Sequence, residues 1–145
     1  MATTAVILDT LQSLLDAELG SIFRFMGGGS PYLTRATLET RDRVERMAAD
    51  TERHAGALAG LIERLGGAAR PPGVQPEDQY LAYLSLKFLL PKLAEAKRTT
   101  IERYENALRA LKGAPTAVLG VVEGNLRSHR ADLAVLESAA VAARS

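Results

Sequence analysis

The side chains able to do chemistry in this sequence are few. Among 145 residues there are two histidines, His54 and His129, and no cysteine or tryptophan. Without thiols there are no disulfides, thiolate zinc sites, iron–sulfur clusters or cysteine nucleophiles. Both histidines sit on apolar stripes of helical spacing, and only a handful of other polar residues share those stripes. These are Glu18 in the first periodic segment, Thr51 beside His54, Lys97 and Thr100 in the third, and Asn125 and Asp132 around His129. Two inward imidazoles and an inward carboxylate are a donor set for iron, manganese or zinc. The same groups can also satisfy one another as a metal-free polar layer, since buried polar atoms must find partners. Lys97 is ambiguous, because its stem can carry the ammonium into the layer or out to the edge.

Four helices must position these groups. Ala and Leu dominate, and no stretch alternates as a strand does. The first segment spans about Thr4 to Met26, with Ile7, Leu11, Leu14, Leu15, Glu18, Ile22 and Phe25 on its stripe, and stops at Gly27-Gly28-Gly29. The second carries Val44, Met47, Ala48, Thr51, His54, Ala55, Leu58, Ile62 and Leu65 inward and ends before Gly66-Gly67. Its start falls at Ser30-Pro31, Thr34 or Thr37. An irregular link rich in proline and glycine follows. The apolar run Tyr80–Leu90 then reads as a short crossover helix over 79–90, and Pro91 opens the third bundle helix. That helix turns Leu93, Lys97, Thr100, Ile101, Tyr104, Ala107, Leu108 and Leu111 inward. After the tight turn Gly113-Ala114-Pro115 the fourth helix runs to about Ala143, with Val118, Val122, Asn125, Leu126, His129, Asp132, Leu133 and Leu136 inward.

A connection as long as 66–90 can return the chain along the bundle and start the third helix parallel to the second, which is the one-crossover topology of ferritin-like folds. Depth supports this layout. Lys97 and His129 each lie 16 residues from Gly113, so an antiparallel pair turning there sets them level. Glu18 and His54 are level if the first turn is centred near Ala36, which makes 27–36 a wide irregular link.

Composition narrows the function further. With 18 Lys+Arg against 17 Asp+Glu the net charge is +1, so the footprint of a nucleic-acid binder is missing. The N-terminus lacks a basic n-region, and the longest apolar run is about half a bilayer span, so neither a signal peptide nor a membrane segment is expected. No phosphate-binding loop or nucleophile elbow occurs. Gly56, Gly60, Gly120 and Gly124 lie off the inward stripes and reflect either close helix approach, there or in a dimer, or simple tolerance.

The stretches Ala17-Glu-Leu-Gly-Ser-Ile22, Ala49-Asp-Thr-Glu-Arg-His-Ala-Gly-Ala-Leu58, Lys97-Arg-Thr-Thr-Ile-Glu-Arg-Tyr104 and Leu126-Arg-Ser-His129 together resemble the ferritin-like superfamily, which includes bacterioferritin and rubrerythrin. The resemblance implies an all-α bundle with a di-iron centre. Such a centre is built from a Glu on each of two helices and a Glu-x-x-His on each of the other two. Glu18, His54 and His129 stand at matching positions. Thr51 and Leu126 replace the two bridging carboxylates, and neither Lys97 nor Thr100 supplies the third-helix Glu. Glu52, Glu95, Glu102 and Glu123 lie on other helix faces.

The expectation is therefore one ferritin-like four-helix-bundle domain over 1–145, with a short extra helix in the crossover and a degenerate di-iron site. It is read as a structural or interaction bundle without ferroxidase activity. Two alternatives stand beside that: a binding protein for one divalent metal, and a mononuclear Fe(II) oxidase. Both use Glu18, His54 and His129, with Asp132, Asn125, Thr51, Thr100 and Tyr104 around them and Lys97 as replacement for lost metal charge. Cofactors are either none or one ion of Fe, Mn or Zn. A cytoplasmic homodimer with no nucleic-acid or membrane partner completes the expectation.

Overall fold

A computed structural model of the chain describes residues 2–25, 38–70 and 86–143. Within them are four helices, α1 (Thr4–Leu19), α2 (Leu38–Arg64), α3 (Leu86–Ala110) and α4 (Thr116–Ala143), plus one 3₁₀ turn, Ile22–Phe25. No strand occurs among the described residues, and no helix there is long and apolar enough to cross a membrane.

The first helix is shorter than its apolar periodicity predicts. Thr3 caps its start, its hydroxyl accepting the Val6 N–H at 3.2 Å. It ends at Gly20, whose N–H donates to the Asp16 carbonyl at 2.9 Å. Ser21 then restarts the chain as a 3₁₀ turn, its hydroxyl accepting the Phe23 N–H at 3.2 Å. Arg24 holds the break in place by donating to the Leu19 carbonyl and to Glu52 of α2, each at 2.8 Å. A capping serine next to a glycine thus ends the helix where the apolar stripe alone would continue it.

α2 is described from Leu38, the three predicted start points lying outside the described residues, and ends as predicted before Gly66-Gly67. Gly67 N–H donates to the Ile62 carbonyl at 2.9 Å and Gly66 N–H to the Glu63 carbonyl at 3.0 Å. Gly66 has φ +87°, the left-handed position of a Schellman cap. The Gly113 turn also uses a left-handed glycine, with φ +86°, and the Pro115 carbonyl accepts the Val118 and Leu119 N–H groups at 3.0 and 3.1 Å.

The third helix departs from expectation. It does not start at Pro91; it is already helical at Leu86, where the described residues resume, and runs through the proline. Residues 86–90 therefore belong to α3, whereas 79–85 of the predicted crossover helix lie outside the described residues, as does the 27–36 link. Pro91 costs the hydrogen bond to the Lys87 carbonyl. It sits on the exposed side, while Leu89, Leu90, Leu93 and Ala94 are buried around it. Their burial holds the turn helical against the proline.

Two apolar clusters give the helix directions. One takes Ile7–Leu15 of α1, Ala55–Ile62 of α2, Ile101–Ala107 of α3 with Leu111 just past its end, and Val118–Leu126 of α4. The other takes Ile22 and Phe23, Val44–Ala48, Leu89–Ala94 and Leu136–Ala140. Both α2 and α3 run from the second cluster to the first, so they are parallel; α1 and α4 run the opposite way. That is the predicted one-crossover arrangement. Between the clusters lies a buried polar layer of Glu18, Thr51, His54, Lys97, Asn125 and His129.

Candidate metal centre

Each member of the layer arrives there by helical period from apolar neighbours. Glu18 follows Leu11, Leu14 and Leu15 on the buried face of α1. His54 lies between Thr51 and Leu58, and His129 follows Val122 and Leu126. Glu18 is the hub. Its Oε2 accepts the His129 Nε2–H at 2.7 Å and the Tyr104 hydroxyl, and lies 3.5 Å from His54 Nδ1. Asn125 donates to the Tyr104 oxygen at 3.2 Å. The ligand-type atoms of Glu18, His54 and His129 lie within 4.8 Å of one another, and the two imidazole centroids are 4.7 Å apart.

Lys97 points into the layer. Its Nζ lies 2.9 Å from His129 Nδ1, 3.3 Å from Asp132 Oδ2 and 4.3 Å from the centre of the Phe23 ring. An ammonium only donates, so Nδ1 accepts and the His129 proton sits on Nε2, facing Glu18. The His129–Lys97 pair is level, as their equal distance from Gly113 predicts.

The electrostatics follow from burial and neighbours. Burial would raise the Glu18 carboxyl, but the imidazoles of His129 and His54 outweigh it and bring it down to about 2. Burial pushes Lys97 below its ordinary value, with Asp132 and Glu18 pulling it back. Burial and the Lys97 charge push His129 below its ordinary value, while the Glu18 hydrogen bond pulls it up. Burial and the Glu18 charge raise the Tyr104 phenol, so it remains a donor. Among the described residues, the Glu18 and Asp132 carboxyl groups thus lie on either side of His129 and the Lys97 amino group.

His54 is the exception to this network. It is 3% exposed, yet neither ring nitrogen has a hydrogen-bond partner among the described residues. Buried imidazole nitrogens without partners are costly. These two are orphaned next to an anionic carboxylate, and one of them faces it. The residues present therefore fit a cation between Glu18, His54 and His129.

The remaining candidate residues divide. Thr51 is buried, but its hydroxyl is bonded to the Met47 carbonyl at 2.9 Å, and Leu126 is apolar core, so no bridging carboxylate exists at either position. Thr100, expected inward, is half-buried and bonds the Ala96 carbonyl of its own helix at 3.0 Å. Asp132 partners Lys97 and makes no bond to His129. Phe23 is not among the residues that periodicity selects, because the break at Gly20-Ser21 shifts the helical frame. Gln12 also escapes a reading by stripes. It is buried, donating to Asp16 at 2.8 Å and accepting the Arg70 N–H at 3.2 Å, which ties the end of the α2 cap to α1. No sequence signal distinguishes it from an exposed glutamine.

Four helices with α2 parallel to α3 and a His/Glu layer across the middle define a ferritin-like bundle. The bacterioferritin-related protein of Bacteroides fragilis, described as a dodecameric thioferritin, has the same fold. It superposes with a TM-score of 0.74 over 94% of this chain and 85% of its own, at 18% identity. No family description and no curated protein matches the sequence.

Proposed function

We propose that this chain is a ferritin-like protein that binds one divalent cation through Glu18, His54 and His129 and performs no ferroxidase chemistry. The observation that carries the reading is the orphaned His54, buried beside the ionised Glu18. Iron, manganese and zinc all accept two imidazoles and one carboxylate, leaving coordination positions open. Binding at Nε2 releases one proton to solvent: the ring gives up the proton that it now donates to Glu18 and takes one on Nδ1 from Lys97, which is left as a neutral amine accepting it. Thr51 and Leu126, standing where two-metal sites carry bridging carboxylates, support the absence of ferroxidase turnover. Tyr104 and Asn125 orient Glu18 from behind and touch no ion.

A second reading, the metal-free polar layer, is favoured by Lys97, whose ammonium already balances one carboxylate. Metal analysis of untagged protein purified without chelator separates the two. One equivalent of Fe, Mn or Zn per chain is expected, lost in His54→Gln with the helical circular dichroism unchanged. No metal, even after loading with Fe(II), Mn(II) and Zn(II), leaves the polar layer. Oxygen uptake on adding Fe(II) is expected to be nil, and uptake would overturn the absence of turnover.

We also infer a single domain that self-associates as a homodimer. The dodecameric state of the structural neighbour supports association. So do Gly56, Gly60 and Gly120, around which no neighbouring element among the described residues comes within 4 Å of a built Cβ, which leaves these faces open to a second copy.

A further inference from the structure

Three of the four helices pass the polar layer without a break. α2, α3 and α4 run for 27, 25 and 28 residues, and Thr51, His54, Lys97, Asn125 and His129 all sit inside them. α1 differs. It ends at Leu19, one residue past Glu18, and the chain resumes as the 3₁₀ turn Ile22–Phe25. The wall of the layer at that corner is therefore a short turn. Its Phe23 ring, 2% exposed, lies 4.3 Å from Lys97 Nζ, which in turn lies 2.9 Å from His129 Nδ1.

Few bonds hold this turn among the described residues. Its backbone has the Ser21 N–H on the Glu18 carbonyl and the Arg24 N–H on the Ser21 carbonyl, each at 3.2 Å. Ile22 and Phe23 pack into the second apolar cluster. The remaining tie is Arg24, whose guanidinium donates to the Leu19 carbonyl and to Glu52 of α2, each at 2.8 Å. This clamp lies in solvent, with the Arg24 and Glu52 side chains 37% and 58% exposed. Parting two of the long helices disrupts much of both clusters. Swinging out the turn needs only two buried side chains and one arginine to let go, and local openings follow the less costly route. The Leu19 carbonyl also belongs to the residue after Glu18, so releasing Arg24 loosens the helix end that carries the carboxylate.

We propose that the Gly20–Phe25 turn is the door of the polar layer and Arg24 its latch. Ions and small reagents reach Glu18, His54 and His129 when this turn swings away, and Arg24 sets how often it does. As a path for a metal the door rests on the metal-binding reading. As a path into the layer it does not, because the same opening exposes the two imidazoles with or without an ion.

The test is the rate at which diethyl pyrocarbonate acylates the imidazoles of the metal-free full chain, mapped by mass spectrometry. Both histidines of the chain lie in the layer, so each modified imidazole reports an opening. The parent is expected to react far more slowly than free N-acetylhistidine. Arg24→Gln should raise the rate at both positions about fivefold, the size expected of one lost charged hydrogen bond at a solvated site. Glu52→Gln spares the bond to Leu19 and should give a smaller rise; it decides the matter if Arg24→Gln loses its helical circular dichroism. Arg130→Gln breaks an ion pair of similar exposure between α3 and α4 and is expected to leave the rate unchanged. Zn(II) loss into EDTA from loaded protein should quicken in Arg24→Gln by the same factor as acylation. If the imidazoles respond but neither parent nor variant holds Zn(II), the door stands and the metal-binding reading falls. A rate that neither Arg24→Gln nor Glu52→Gln moves overturns the proposal. So does an equal rise in Arg130→Gln, which marks opening of the whole bundle.

Discussion

Glu18 concentrates the risk of the whole layer in one carboxylate, because three side chains from three other helices depend on where it points. Tyr104 donates to it and also accepts from Asn125. Tyr104→Phe removes both links while keeping the ring, leaving the Asn125 amide unpaired in a buried site. A loss of about 1–3 kcal/mol is expected, from the cost of a buried donor without a partner. Urea unfolding of the variant against the parent measures it. At this scale the sequence is readable where period alone decides: Glu18, His54 and His129 fall on their stripes and meet. It is not readable where a flexible side chain chooses. The Lys97 stem permits either direction, and only the assembled trap of Asp132, His129 and Phe23 selects the inward one. Thr100 shows the opposite failure, since a stripe places it near the layer but its hydroxyl has a nearer acceptor one turn back.

Helix ends decide which residues the elements deliver. The cap at Gly66 uses a left-handed conformation, φ +87°, that a Cβ disfavours by about 1–2 kcal/mol. No atom of the described residues crowds a Cβ there, so conformation sets the penalty. Gly66→Ala should therefore lower stability by about that amount in thermal or urea unfolding, and leave metal content unchanged. The sequence shows this end, and the Gly113 turn, because glycine just past an apolar stripe is the residue a left-handed helix end calls for. It misleads at Gly20 and at Pro91. At Gly20 the stripe continues through Ile22 while the backbone does not, because Ser21 and Arg24 supply the bonds of a new turn. At Pro91 the local rule forbids what burial of Leu89, Leu90 and Leu93 enforces. In both places, interactions beyond the immediate window override the local preference.

The molecule as a whole is two apolar clusters separated by a polar layer. Its overall topology is legible in the sequence because hairpin lengths and one long link leave few ways to pair four helices. Side-chain depth is legible only for the second hairpin, where the tight turn at Gly113 pins the register; the first link, 27–36, lies outside the described residues. The separation of roles follows from the same layout. Surface pairs such as Arg98–Glu137 and Arg130–Glu105 join α3 to α4 in solvent, where each is worth at most about 1 kcal/mol. The two clusters therefore carry stability, which leaves the layer between them free for polar side chains.

Enclosure between those clusters has a consequence in time. Glu18, His54 and His129 are each at most 3% exposed, so a chelator the size of EDTA cannot touch an ion held among them while the helices stay packed. Departure then waits on opening of the bundle, a local unfolding event. Metal loss from loaded protein is expected to be first order, at a rate independent of EDTA concentration and accelerated by sub-denaturing urea. A rate that rises in proportion to EDTA would place the ion at the surface.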